Sequence, residues 1–386
     1  MPAFFNSPRR VFAGFAVYSF AMGNIFPRLG AIQTQMGVEE GALGLGLIGA
    51  PVGTLISLTF APPLLERIGF RPALLACIPV LSVLYALAVQ APSPGWLFVF
   101  LIPVGLMLGA IEIILNTEAD RVEAVAGYRI MNRAHAFWSI GFFGAGLFGA
   151  AMAGLGVSPQ LHLALVIPIV CAGVALFLRD FTASPHRARS HGQADAAAGR
   201  FSLPTGPILV LVSVTLSAML MEGASMDWSA IYLRDVFSAS PFQMGLGVVT
   251  FALAQATTRF FADSFVERHS PAGVARVLIL TMLVGCLMVT FPVGLAPSLV
   301  GFALLGIGSS AIFPLAMSAA AQREDRSAAV NVAALAQISF VVFLLGPPLL
   351  GYVAEHFGIR AAIGIGLPFI ALSFLTAGSL GRRQPR

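Results

Sequence analysis

The sequence predicts an all-α integral membrane protein of twelve transmembrane helices, arranged as two pseudo-symmetric six-helix bundles. Three observations predict it. The 386 residues are 58% hydrophobic and only 10% charged, with a mean hydropathy of +0.88, whereas a soluble domain carries roughly 25% charged residues. The apolar stretches recur at the length a bilayer demands, about 20 residues each. The arginines, finally, are distributed unequally between alternate loops. Twelve spans would use roughly 240 residues, which leaves room for short loops and one linker and excludes a large soluble domain.

Apolar runs bounded by turn or charge signals predict spans one to six at residues 9–30, 41–63, 72–90, 95–116, 133–155 and 159–179. Spans seven to twelve follow at 206–232, 240–260, 274–292, 296–319, 330–353 and 359–381. The first run is long and has no small-residue cleavage site, so it is expected to stay in the membrane rather than to be removed as a signal peptide. Between the two sets, the stretch from Asp180 to Pro204 is too rich in Ser, Ala, Gly and charge to bury a core and reads as a flexible linker. The expected organisation is a bundle at 1–179, a cytoplasmic linker at 180–205 and a second bundle at 206–386. His186 and His191 in the linker read as solvated side chains in preference to metal ligands.

All 22 basic residues are arginines, which, with the abundance of Ala and Gly, suggests a GC-rich bacterial genome. With the N-terminus inside, 19 of them fall in cytoplasmic segments and only Arg28, Arg234 and Arg360 lie outside. That asymmetry is the positive-inside rule, and it predicts a multi-pass protein of the bacterial inner membrane with both termini cytoplasmic. It also accounts for the pI near 9.6 without nucleic acid, because the arginines are spread over short loops. Cys77, Cys171 and Cys286 sit in apolar runs at spacings that fit neither a metal site nor a disulfide framework. No phosphate-cradling G-x-x-x-x-G-K-[ST] loop occurs, which argues against an ATP-driven pump. No nucleophile–base pair or ligand cluster suggests an enzyme, and no cofactor or metal is expected.

The halves align without gaps at an offset of 201 residues, 44–69 against 245–270, with identities that include Gly44/Gly245, Glu66/Glu267 and Arg67/Arg268. Parallel six-helix repeats related by an axis along the membrane normal are a transporter architecture with the substrate site at the repeat interface. The segment Arg259-Phe-Phe-Ala-Asp263-Ser-Phe-Val-Glu267-Arg268 is similar to the G-R-x-x-x-D-x-x-x-x-R signature of the major facilitator superfamily, which the chain resembles over nearly its whole length. The first-half loop, Leu64-Leu-Glu66-Arg67-Ile-Gly69-Phe-Arg71, keeps the Arg-x-Gly-x-Arg end but has Pro62 where the family has Asp. Ile25 to Arg28, Asn116, the stretch Arg129 to Ser139, and Glu222-Gly223 with Asp227-Trp228-Ser229 resemble the bacterial branch near the fucose permeases. The resemblance implies the two-bundle fold of that superfamily, transport by alternating access, and a cytoplasmic gate at Glu66, Arg67, Arg71, Arg129, His135, Arg259, Asp263 and Arg268.

Of the 17 acidic residues only Glu112, Glu222 and Asp227 lie within predicted spans. A charge at mid-bilayer costs on the order of 2.5–3.5 kcal/mol, so each should face a cavity or a partner. Glu112 and Glu222 are the candidates for binding a transported proton; a structural hydrogen bond between helices is the competing reading for both. Glu112 and Asn116 stand four apart and share a helix face, as do Asn24 and Arg28 in span one. Spans one and seven are repeat partners, which predicts an ion pair between Arg28 and Glu222 or Asp227 on the outer side. Trp228 is expected to close that gate or stack on a sugar ring, with an interfacial anchor as the alternative. His135, Trp138, Ser139 and Phe142 form one stripe of span five, where His135 either assists proton release or makes a local hydrogen bond. Gln255, Asn331 and Gln337 are lone amides that either line the pathway or join helices. Gly49 and Gly53, and Gly141, Ala145 and Gly149, have the small-residue spacing that lets helix backbones approach.

The leading expectation is thus a monomeric, proton-coupled carrier of a small polar solute, whose partners are that solute, protons and the lipid bilayer. Proton-antiport efflux of hydrophobic compounds is one alternative, and a transport-inactive sensor or scaffold is another.

Overall fold

The computed structural model describes residues 7–128, 130–184, 203–326 and 328–381, and every regular element among them is helical. Eight spans are unbroken helices: three (Phe70–Ala88), four (Pro94–Ala126), five (Met131–Gly154), six (Pro159–Phe177), seven (Gly206–Phe237), eight (Pro241–Arg268), nine (Pro271–Thr290) and eleven (Ala328–Phe357). Four are interrupted. Span one runs over Ser7–Gly23, a 3-10 turn at Phe26–Arg28 and Leu29–Met36; span two over Glu40–Leu47 and Gly49–Phe60. Span ten joins Leu295–Ser309 to Ile312–Ala321, and span twelve joins Ile359–Gly364, Gly366–Thr376 and the 3-10 turn Ala377–Leu380. Among the described residues ten of these, all but spans one and eight, are long and apolar enough to cross a bilayer. Span one is broken around Asn24, and span eight carries Arg259 and Arg268 near its end, yet both pack within the bundle.

Local chemistry sets several starts. Spans four, six, eight and nine each begin on a Ser-Pro step. A proline at the first helical position gives up an N–H that has no intrahelical partner there. The serine hydroxyl then accepts a backbone amide: Ser158 from Leu161, Ser270 from Gly273, and Ser240 from Gln243, whose side chain returns a bond to the Ser240 amide.

One face of the bundle carries the start of span one and the ends of spans six and twelve; we call it the terminal face, and the opposite one the distal face. Arg10 donates to the Asp180 carbonyl and Arg71 to the Arg179 carbonyl at the terminal face. Within the first half, small residues bring helices together: a methyl group on Gly53 would collide with the Ile102 carbonyl of span four, and one on Gly141 with the Ala16 carbonyl of span one. Among the described residues the halves meet along two main seams, besides contacts of span one with spans seven and eight. Span five runs against span eight from Gly154 and Phe242 down to Phe137 and Phe260. Span two meets span eleven mainly in its distal part, where a Cβ on Gly44 would lie 2.5 Å from the Pro347 carbonyl and one on Gly351 2.5 Å from the Glu40 carbonyl. The space between the halves is therefore sealed at the distal face. Toward the terminal face, span four makes no substantial packing contact with spans ten or eleven among the described residues.

Candidate functional site

Between the halves lies a cavity of about 280 Å³, lined by spans one to five, seven and eleven. This is the lower edge of small-molecule sites, roughly 300–1,000 Å³. Its polar wall is Tyr18, Thr54, Tyr85, Glu112, Glu222 and Asp227, and ring faces come from Phe26, Trp138, Phe340 and Phe343. A larger hollow of about 1110 Å³ opens between spans one, five and six, but apart from Arg9 and Arg133 its lining is apolar and it holds no carboxyl group. Its composition suits lipid chains. The inner cavity holds the chemistry.

The three in-span acids all line this cavity, each in a different setting. Glu112 accepts from the Tyr18 hydroxyl at 3.1 Å and from Asn116 Nδ2 at 2.7 Å. Asn116 in turn holds its Oδ1 3.2 Å from His135 Nε2, so a polar chain runs from the cavity to the first turns of span five. The intact helix of span four keeps Glu112 and Asn116 on one face, which the four-residue spacing predicts. Glu222 has a cation instead: Arg259 Nη2 stands 3.8 Å away. The same guanidinium donates to Ser139 Oγ of span five at 3.0 Å and to the Ser310 carbonyl at 3.2 Å. Span ten breaks at Ser310, which frees that carbonyl from its own helix. Asp227 accepts no hydrogen bond and forms no ion pair among the described residues.

Several expected sites are arranged otherwise. Arg28 does not meet Glu222 or Asp227; it is buried and donates to the Val157 carbonyl in its own half. Asn24, also buried, bonds to the Phe20 carbonyl at 2.6 Å and to His162 Nε2 at 3.0 Å. The reason is the break in span one: the helix stops at Gly23 and resumes as a 3-10 turn through Pro27, so the four-residue phase that would aim both side chains at span seven is lost. Trp228 is fully buried against span eleven, where a Cβ on Gly351 would sit 3.1 Å from its ring; it neither lines the cavity nor lies at an interface. Trp138, stacked on Phe142 at 5.2 Å, is the indole that lines it. Gln255 is buried where spans eight and ten touch, Gln337 is half-buried in span eleven, and neither lines the cavity. Asn331 bonds Asp325 at the terminal end of span eleven.

The expected cytoplasmic gate is also redistributed. Arg259 lies inside span eight, which continues to Arg268, and reaches Glu222. Glu66 and Arg67 are exposed, and Arg71 bonds within its own half. Arg268 is exposed at the helix end. Arg129 and the side chain of Asp263 lie outside the described residues.

The cross-half charge at the distal face belongs to Arg234. Span seven continues to Phe237, five residues past its predicted end, and carries Arg234 in its last turns. Its guanidinium donates to the Gly30 carbonyl at 3.1 Å, Thr34 Oγ1 at 3.2 Å and Gln33 Oε1 at 2.9 Å, and stands 3.9 Å from Glu40. Glu355 of span eleven adds a second clasp, accepting from the Gly41 amide at 3.1 Å. Tyr18 and Tyr85 were not anticipated either; the signal was available, since a tyrosine deep in an apolar span needs a partner for its hydroxyl.

Comparison with known proteins agrees with this architecture. The model of the Major Facilitator Superfamily matches residues 210–386. A transporter of Sinorhizobium fredii, y4wD, whose substrate its name does not give, is 30% identical over 368 residues, 94% of this chain and 95% of the relative. The nucleoside transporter NupG superposes with a TM-score of 0.74 at 14% identity, covering 97% of this chain and 99% of its own. The E. coli fucose:proton symporter FucP does so with a TM-score of 0.60 at 15% identity, covering 97% and 98%. At those identities the solved structures speak for the fold alone. With a relative at full length, the family model and the two-bundle fold in agreement, the chain belongs to the major facilitator superfamily, as a multi-pass membrane transporter.

Proposed function

We propose that the protein is a proton-coupled secondary carrier that moves a small polar solute across the bacterial inner membrane by alternating access. The observation that carries this reading is the Glu112 chain: a carboxyl on the cavity wall, bonded by Tyr18 and Asn116, with His135 one step further toward the terminal face. A proton bound at Glu112 and released through that chain would couple the cavity to one side. The arginine asymmetry supports the terminal face as the cytoplasmic one, so the sealed distal face is periplasmic and the conformation opens inward. A membrane potential supplies about 2.3 kcal/mol per charge per 100 mV, enough to drive accumulation about fiftyfold at one proton per solute. The fold neighbours named as fucose:proton and nucleoside transporters make a ring-sized polar solute the reasonable cargo for a cavity of about 280 Å³.

The test is uptake into proteoliposomes across a panel of monosaccharides, nucleosides and amines, with and without an imposed pH gradient. Wild type should accumulate at least one member only when the gradient is present. Glu112→Gln should lose gradient-driven uptake at least tenfold while retaining counterflow exchange. Accumulation by wild type that ignores the gradient would sink the proton coupling.

A further inference from the structure

Building on that reading, we infer that the solute is a cation: a small amine whose ammonium group is held by Asp227 inside an aromatic cage. The cavity lining contains three carboxyl groups and no arginine, lysine or histidine. Two of the three are engaged. Glu222 has Arg259 at 3.8 Å behind the wall, and Glu112 is held by Tyr18 and Asn116. Asp227 has no such partner among the described residues, although it lies half-buried on the wall of a cavity between the spans. An ionised carboxylate without a partner is expensive at that depth, so the site calls for a counter-charge that arrives with the ligand.

The surrounding rings fit the same ligand. Tyr85, Tyr18, Phe26, Trp138, Phe340 and Phe343 present aromatic surface to the same space as Asp227. Rings around a cation attract it through their negative faces, and more strongly once water is excluded. An anionic solute would meet three acids and no base. A neutral one would leave Asp227 as it is. The volume of about 280 Å³ admits one substituted six-membered ring or an amine of similar size, not a large amphiphile.

The experiment compares matched ligands on the purified full chain: amines, their neutral hydroxyl analogues and their carboxylate analogues, drawn from monosaccharides, cyclohexyl compounds and short polyamines. Binding is read by quenching of tryptophan fluorescence, since Trp138 lines the cavity, and by ligand-induced change in Tm. At least one amine should bind tenfold or more tightly than its neutral analogue, and the carboxylates should not compete. Asp227→Asn should abolish the preference and Asp227→Glu should restore part of it; gel filtration checks that each variant is folded. Equal or tighter binding of the neutral analogues, absence of binding by every amine, or a preference that survives in Asp227→Asn would each overturn the assignment. The two readings fail separately. Gradient-driven uptake of a neutral solute, unaffected by Asp227→Asn, removes the amine and keeps the coupling; amine binding with gradient-independent uptake does the reverse.

Discussion

Arg259 of span eight stands 3.8 Å from Glu222 of span seven while donating to Ser139 of span five at 3.0 Å. One guanidinium thus neutralises a cavity acid of its own half and grips a helix of the other. Because Glu222 depends on it, the two partners are not equivalent. Arg259→Ala should lower Tm in detergent more than Glu222→Gln, and the double variant should recover part of the Arg259→Ala loss. Breaking a fully buried pair costs about 3–5 kcal/mol; with both side chains still 17–18% exposed, about 1–3 kcal/mol is the expected scale. Strictly additive losses in the double variant would mean that the pair does not interact.

The Arg234 clasp joins span seven to Gly30, Gln33, Thr34 and Glu40 at the distal face. Hydrogen bonds from a charged donor contribute about 1.5–3 kcal/mol when shielded, and partial exposure here reduces that to about 1–2 kcal/mol. Arg234→Ala should therefore shift the balance toward a distally open state by roughly 5–30-fold. Spin labels at Val38 and His356 would report it as a second, longer distance that wild type lacks. A single unchanged distance would mean that the clasp does not hold the seam.

At the terminal face, Asp325 accepts from Asn331 at 2.9 Å and Thr205 at 3.2 Å and pairs with Arg323 at 3.4 Å. The Asn331 bond foremost holds its carboxyl below the usual carboxylate range. A depressed folded pKa means that the contribution is present above the unfolded value of about 3.9 and is lost as pH falls through the lower folded value. Protection from hydrogen exchange at the start of span seven, taken relative to the intrinsic rate at each pH, should fall over that acidic window in wild type. In Asp325→Asn the protection should be lowered already at neutral pH and show no such step.

How far the sequence could be read depends on whether helices run unbroken. Hydropathy and the arginine asymmetry require only lengths and loop composition, and they yield the two-bundle fold. Glu112 and Asn116 could be paired from spacing because span four is continuous through them. The same rule failed for Asn24 and Arg28, since span one breaks between Gly23 and Phe26 and a period of 3.6 has no meaning across a break. Arg234 falls in a predicted loop and Arg259 at the very end of a predicted span because hydropathy ends where charge begins, whereas the helices continue to Phe237 and Arg268. Trp228 shares a helix with Asp227, but one residue is a turn of about 100°, enough to take it out of the cavity and into the seam with span eleven.

Two glycines of span two separate conformational switching from folding. Gly44 faces span eleven, where a Cβ would lie 2.5 Å from the Pro347 carbonyl; Gly53 faces span four of the same half, against the Ile102 carbonyl. Backbone carbonyls cannot rotate away as side chains can, so leucine at either position must push helices apart, at a cost of about 1–3 kcal/mol or more. At Gly44 the strain is relieved by opening the distal seam, a motion that the proposed alternating access requires. Gly44→Leu should therefore stay folded, with Tm within a few degrees of wild type, and populate the distally open distance between labels at Val38 and His356. At Gly53 no rigid-body motion of the halves relieves the clash, because both helices move together. Gly53→Leu should lower Tm or expression sharply without populating the open distance. If both variants simply unfolded, the seam between spans two and eleven would be a fixed part of the core, and rocking of the halves about it would have to be abandoned.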